Sequence, residues 1–118
     1  MIEINGVAHV VLTVSEWDKC RPFYEALLSF MGLKRVFSGV DGIYYVGGRT
    51  AIGVGPCDER YSTQRFKQGG VGLHHICFRS RSREDIDKIY SFLKKTRDQD
   101  RTGTGGGPLG AGVLFHSF

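Results

Sequence analysis

No stretch of this 118-residue chain approaches the roughly 20 consecutive apolar residues that a helix needs to cross a bilayer, so a membrane-spanning helix is not expected. The opening, MIEINGVAHVVLTVSEW, lacks both a basic leader and a small-residue cleavage site, and no secretory signal is expected there. Cysteine is scarce. Cys20, Cys57 and Cys77 are odd in number and show no paired spacing, which argues against a disulfide framework and for a reducing, cytoplasmic setting. A basic stripe interleaved with stacking aromatics is also missing. The net charge is +4, but Lys and Arg alternate with Asp and Glu through Ser82–Arg97, so nucleic acid is not the expected partner. What remains is an ordinary globular balance, 41% hydrophobic and 24% charged, with room for one core.

Ala8–Val14 (AHVVLTV) is rich in Val and reads as a strand. Ser15, followed by Asp18, is a candidate start for a helix reaching about Met31, with Phe23, Leu27, Phe30 and Met31 as its apolar face and Gly32 as its stop. Pro22 fits only near a helix start, which places the first regular turn around Asp18–Arg21. Leu33–Phe37, Ile43–Val46 and Thr50–Val54 read as three short strands. Asp41-Gly42, and either Gly47-Gly48 or Gly48-Arg49, supply their tight turns. A polar loop over Pro56–Gly70 precedes a strand at Gly72–Arg79 (GLHHICFR). Ser82 with Asp85 then opens a helix to about Lys95, its apolar face formed by Ile86, Ile89, Tyr90 and Leu93.

This order repeats. His9 and His75 begin corresponding strands, each followed by a helix carrying Tyr24 or Tyr90. The expected fold class is α+β: a βαβββ module over residues 1–56, a linker loop over 57–70, and an incomplete second βα module over 71–96. Together these give a single domain with a curved mixed sheet and helices on its convex face. Strand alternation sends Ala8, Val10, Leu12, Val14, Ile76 and Phe78 to the core. It leaves His9, Thr13, Tyr44, His75, Cys77 and Arg79 on the open face, with Ala51 and Gly53 beside them. Two imidazoles at equivalent places in paired modules can share one divalent cation, since neutral nitrogen suits zinc and its first-row neighbours. Each side chain also has a plainer role: a hydrogen-bonded structural histidine for His9, His75 and the core-facing His74, packing for Tyr44 and Cys77, a surface charge for Arg79.

HVVLTVSEWDKCRPFYEALLSFMGL, the glycine-containing hairpin and GLHHICFRSRSREDID resemble the glyoxalase / bleomycin-resistance / dioxygenase (vicinal oxygen chelate) superfamily over roughly Met1–Thr96. The strand-turn-FY-helix pattern is specific for the superfamily and unspecific for any one activity. In metal-dependent members, residues at the His9 and His75 positions are ligands, and two more, usually Glu, come from the last strand of each module. The resemblance therefore implies His9 and His75 as metal ligands for Zn, Ni, Mn or Fe, with Tyr44 and Arg79 contacting a small-molecule substrate. This chain departs at the first acid, where Gly53 stands in TAIGVGP.

The tail, residues 97–118, loses helix and strand period until GVLFHSF. One permitted codon choice for Arg97–Phe118, read one base later, gives AIKIVQEPEEGPWAPGYYSILFE, which resembles the family's usual continuation. The expectation is a frameshift after about Thr96 that replaced the last strands and the second acid. It would leave an open sheet edge for another chain, as in a homodimer, or for Gly112–Phe118 to pair with. Two functions follow. One is a divalent-metal-dependent lyase, isomerase or dioxygenase acting on a small molecule, its catalysis impaired by the missing acids. The other is a metal-free module that sequesters a small molecule with Tyr44 and Arg79, or else an inactive structural homodimer.

Overall fold

In a computed structural model of the chain, the alternation in AHVVLTV becomes strand β1 (His9–Val14), with Leu12 and Val14 buried and His9, Val11 and Thr13 exposed. The structure describes the backbone of residues 1–99 and 113–117 and the side chains of residues 1–96. After β1 come α1 (Trp17–Phe30), β2 (Lys34–Gly39), β3 (Gly42–Gly47), β4 (Thr50–Pro56) and a 3-10 turn at Glu59–Tyr61. Then follow β5 (Ile76–Ser80), α2 (Arg83–Gln99) and β6 (Val113–Ser117). These α+β elements fall into two units, Met1–Ser62 and Thr63–Phe118.

In the first unit four strands form a curved mixed sheet in the order β1-β4-β3-β2. β1 runs parallel to β4, and the other neighbours are antiparallel. Val10, Ile52 and Tyr45 stand in one row across the sheet, and Leu12, Val54 and Ile43 in the next. These rows face the stripe of α1 made by Cys20, Phe23, Tyr24, Leu27 and Leu28, all buried. Phe30 lies off that stripe and is 47% exposed, so it does not belong to the apolar face expected for it.

The helix start also differs from expectation. Glu16, not Ser15, is the N-cap, and its carbonyl accepts the amides of Lys19 (3.1 Å) and Cys20 (2.9 Å). Pro22 therefore sits beyond the first turn, where it withholds one amide from the helical ladder. Gly32, at φ 87, ends the helix by donating to the Ser29 carbonyl at 3.0 Å. Arg21 ties α1 to the β2–β3 turn: Nη1 donates to the Gly39 carbonyl (2.8 Å), Nη2 to Ser38 Oγ (2.8 Å) and Nε to Glu25 (2.9 Å).

Of the two readings for the second hairpin, Gly48-Arg49 is the one observed. Gly47 pairs with Thr50, and residues 48 and 49 have φ of 54 and 61, the signs a type I′ turn requires. In the first hairpin Gly39 pairs with Gly42, so Val40-Asp41 form the turn rather than Asp41-Gly42. Gly42 is needed for space, because a Cβ there would lie 2.8 Å from the Val54 carbonyl oxygen.

In the second unit β5 begins at Ile76, four residues later than expected, after Gly72 has turned the backbone to φ 134. β6 lies parallel to β5, from Ile76 opposite Val113 to Ser80 opposite Ser117, so the end of the chain does pair with the edge that β5 offers. Ser82 caps α2, its Oγ accepting the Asp85 amide at 3.1 Å, as read from the sequence. The helix continues to Gln99, past the expected Lys95. Ile89 is buried and Ile86 and Leu93 half-buried, but Tyr90 is 64% exposed and does not join the apolar face. Residues 100–112, which hold most of the atypical tail and of the expected frameshift, lie outside the described residues.

Candidate functional site

The face of the first-unit sheet away from α1 is built by the odd residues of β1 and the even residues of β3. His9, Ala51 and Val46 form one row, and Val11, Gly53 and Tyr44 the next. The pleat thus brings His9 and Tyr44 to one face, as the sequence implied. Their rings meet edge to face with centroids 6.5 Å apart. Tyr44 is half-buried, while His9 is exposed. Among the described residues neither nitrogen of His9 is hydrogen-bonded, so both remain available to a ligand. Thr13 extends the same face on β1.

Gly53 lies between these side chains, and the space above it is already used. A Cβ at position 53 would meet Tyr44 Cδ2 at 3.2 Å and Val11 Cγ2 at 3.3 Å. Position 53, near which the resemblance places the first carboxylate, therefore offers no oxygen, and its neighbours close over it. Among the described residues no three His, Cys, Asp or Glu side chains gather into a metal-holding group. The two-histidine, two-carboxylate centre does not fit the residues present on this face.

His75 and Arg79 belong to the second unit. Cys77 and Arg79 are exposed on β5 while Ile76 and Phe78 turn inward, which is the expected alternation. His75 precedes the strand by one residue and is exposed. His74 was expected to face the core and does not. The pleat begins only at Ile76, so alternation does not reach position 74, and its ring is exposed with Nδ1 2.7 Å from His75 Nδ1. Gln68 reaches the same imidazole from the preceding loop, its Nε2 3.4 Å from His74 Nδ1 and 3.4 Å from the His74 carbonyl oxygen. The sequence reading missed Gln68, whose only signal is a polar residue in a glycine-rich loop.

Of the three cysteines, Cys20 is buried on the inner face of α1, Cys57 half-buried and Cys77 exposed. Burial pushes the Cys20 thiol above its ordinary range, and the negative charge of Glu16 adds to the shift. Its side chain packs in the core beside Phe23 and Tyr24 on α1. Among the described residues no helix is long and apolar enough to cross a membrane.

The family model for the glyoxalase / bleomycin resistance protein / dioxygenase superfamily matches residues 6–116. Among solved structures, a protein of Bacillus halodurans assigned to the glyoxalases is 25% identical with a TM-score of 0.79, covering 97% of this chain and 96% of its own. A glyoxalase / bleomycin resistance protein / dioxygenase domain from Frankia sp. EAN1pec is 26% identical with a TM-score of 0.61, over 79% of this chain and 70% of its own. The fosfomycin resistance protein FosX of Listeria monocytogenes, solved as its E126Q mutant with Mn(II) and 1S,2S-dihydroxypropylphosphonic acid, is 18% identical. Its TM-score is 0.52, over 79% of this chain and 72% of its own. No curated protein matches the chain significantly. With a family model spanning nearly all of it, the chain belongs to the glyoxalase / bleomycin resistance protein / dioxygenase superfamily.

Proposed function

We propose that this chain is a small-molecule-binding member of the superfamily, whose first unit receives its ligand on the His9–Tyr44 face without a resident metal. The observation that carries this reading is Gly53. A residue with no side chain lies under Tyr44 and beside Val11, where the metal-dependent pattern calls for a carboxylate. The resulting surface joins an apolar, aromatic floor to an exposed imidazole whose nitrogens have no hydrogen-bond partner among the described residues. Such a surface suits a flat organic molecule with a hydrogen-bonding edge: the phenol ring takes the flat face, and His9 takes the polar edge. Binding here needs no bond made or broken. His9 orients the ligand, and Val11 and Tyr44 exclude water from one side of it.

A second reading retains a divalent cation, as FosX does with Mn(II), and with it lyase, isomerase or dioxygenase chemistry. It is favoured by the exposure of His9 in the first unit, since an imidazole nitrogen is a suitable donor to such a cation. Calorimetric titration of the full chain with a panel of small aromatic carboxylates, with and without EDTA, separates the two. The metal-free reading expects saturable binding that EDTA leaves unchanged and that Tyr44→Ala weakens by about three- to tenfold, the loss of one aromatic contact. Binding abolished by EDTA and restored by Mn(II) supports the second reading.

A further inference from the structure

Strand β2 switches the faces of its side chains partway along. Lys34 pairs with Val46 and Arg35 with Tyr45, so strict alternation would send Phe37, like Arg35, to the side that packs on α1. A β-bulge intervenes. Val36 is an extra residue, and Phe37 instead pairs with Tyr44. Phe37 thereby joins the row of Val11, Gly53 and Tyr44 on the face away from α1. Gly39, two residues on, agrees with this placement: a Cβ there would lie 2.9 Å from Phe37 Cζ, so the ring lies along β2 over a residue with no side chain. The ring is 54% exposed. The same shift sets Ser38 opposite Ile43, where Arg21 Nη2 donates to its Oγ at 2.8 Å, so α1 holds the bulged register in place.

The adjacent row on this face runs Lys34, Val46, Ala51, His9. Its two ends are polar. Lys34 on β2 is an exposed ammonium with no ion-pair partner among the described residues, and His9 on β1 is an exposed imidazole. Neighbouring strands stand about 4.8 Å apart, so these ends are separated by roughly 14 Å across the sheet. A single ring seated on Tyr44 covers only part of that span, and a second ring beyond it reaches Phe37. We infer that Phe37 and Lys34 are specificity-determining residues of this face, selecting an elongated aromatic anion with its two rings on Tyr44 and Phe37, its carboxylate at Lys34 and a hydroxyl at His9. The inference rests on the reading of this face as a small-molecule site and names the class of ligand it takes. The aromatic pair supplies the flat contact, and the ammonium supplies a charge-assisted hydrogen bond to the carboxylate.

Calorimetric titration of the full chain in excess EDTA with para-hydroxybenzoate, and with the corresponding two-ring para-hydroxybiphenyl carboxylate, tests this. The two-ring acid is expected to bind about tenfold more tightly than the one-ring acid. Phe37→Ala lowers the affinity for the two-ring acid by about three- to tenfold, the loss of one aromatic contact. Lys34→Gln lowers it by about two- to fivefold, and added salt brings the wild type towards the variant. Both side chains are exposed, so neither substitution opens a hole in the core. A two-ring acid that binds no more tightly than the one-ring acid overturns the inference. So does an affinity that Phe37→Ala and Lys34→Gln leave unchanged while Tyr44→Ala still weakens it, and that result leaves the Tyr44 face standing. Binding of neither acid, or binding indifferent to Tyr44→Ala, overturns the reading of the face and the inference with it. If a second copy of the chain covers the face instead, the Phe37 amide signal of the 15N-labelled chain shifts on dilution without ligand, which also overturns it.

Discussion

Gly53 shows how one residue without a side chain can decide what a site is. Its neighbours Tyr44 and Val11 would lie 3.2 and 3.3 Å from an added Cβ, so even the smallest substitution must push them outward. Gly53→Ala is expected to lower stability by about 1–2 kcal/mol, read as a reduced urea midpoint, and to weaken ligand binding at the same time. Cys20 gives a second prediction at this scale. Its thiol titrates above the ordinary range in the folded chain because burial disfavours the thiolate. Below about pH 8.5 both folded and unfolded chains keep the proton, and stability does not depend on this group. Above that value the unfolded chain releases its proton first, so stability falls as pH rises towards the higher folded value. Unfolding midpoints measured from pH 7 to pH 10 should show this decline, and Cys20→Ala should flatten it. Much at this scale was legible in the sequence. His9 was assigned to the open face from strand alternation and Tyr44 from a two-residue turn after its strand, and they meet there. His74 was misplaced because periodicity cannot report where a strand starts, and the pleat begins two residues beyond it.

The elements are held by a few identifiable devices. Arg21 joins α1 to the β2–β3 turn through three donors, two of which reach Ser38 and the Gly39 carbonyl. A lysine cannot reproduce that planar fork, so Arg21→Lys should cost roughly 1 kcal/mol and hasten amide exchange in the first hairpin. Ser82 is the corresponding device in the second unit. Removing its cap in Ser82→Ala should cost about 1 kcal/mol, and helical content should fall without change in β1–β4. The Ser82 cap was readable because its chemistry is local, a side-chain oxygen facing an orphan amide, whereas the second hairpin was left between Gly47-Gly48 and Gly48-Arg49, and Arg49 at positive φ carries no glycine signal. The α1 cap was not readable, because Glu16 acts through its backbone carbonyl, which any residue possesses. Phe30 and Tyr90 were assigned to apolar stripes by their three-to-four spacing, which places each only at the edge of its stripe. Position on the helical turn places both outside the packed stripe, and apolar side chains are commonly exposed there.

At the scale of the whole molecule, the repeat seen in the sequence corresponds to two units that each place a strand before a helix and pair that strand in parallel with a later one. β1 pairs with β4 in the first unit, and β5 with β6 in the second. Superfamily membership was legible because the order of strands and helices can be read from local periodicity, and a solved structure at 25% identity shares the fold over 97% of this chain. The parallel register of β6 was not, since pairing between distant segments leaves no local period in either strand. The central claim is that the first unit binds a small molecule on the Tyr44–Gly53–Val11 face without a metal. The most direct test is amide chemical-shift mapping of the 15N-labelled full chain during titration with an aromatic carboxylate in excess EDTA. The account predicts saturable shifts centred on Val11, Tyr44 and Gly53 with His9 at their edge. Shifts confined to other residues, or none until a divalent cation is added, would contradict it.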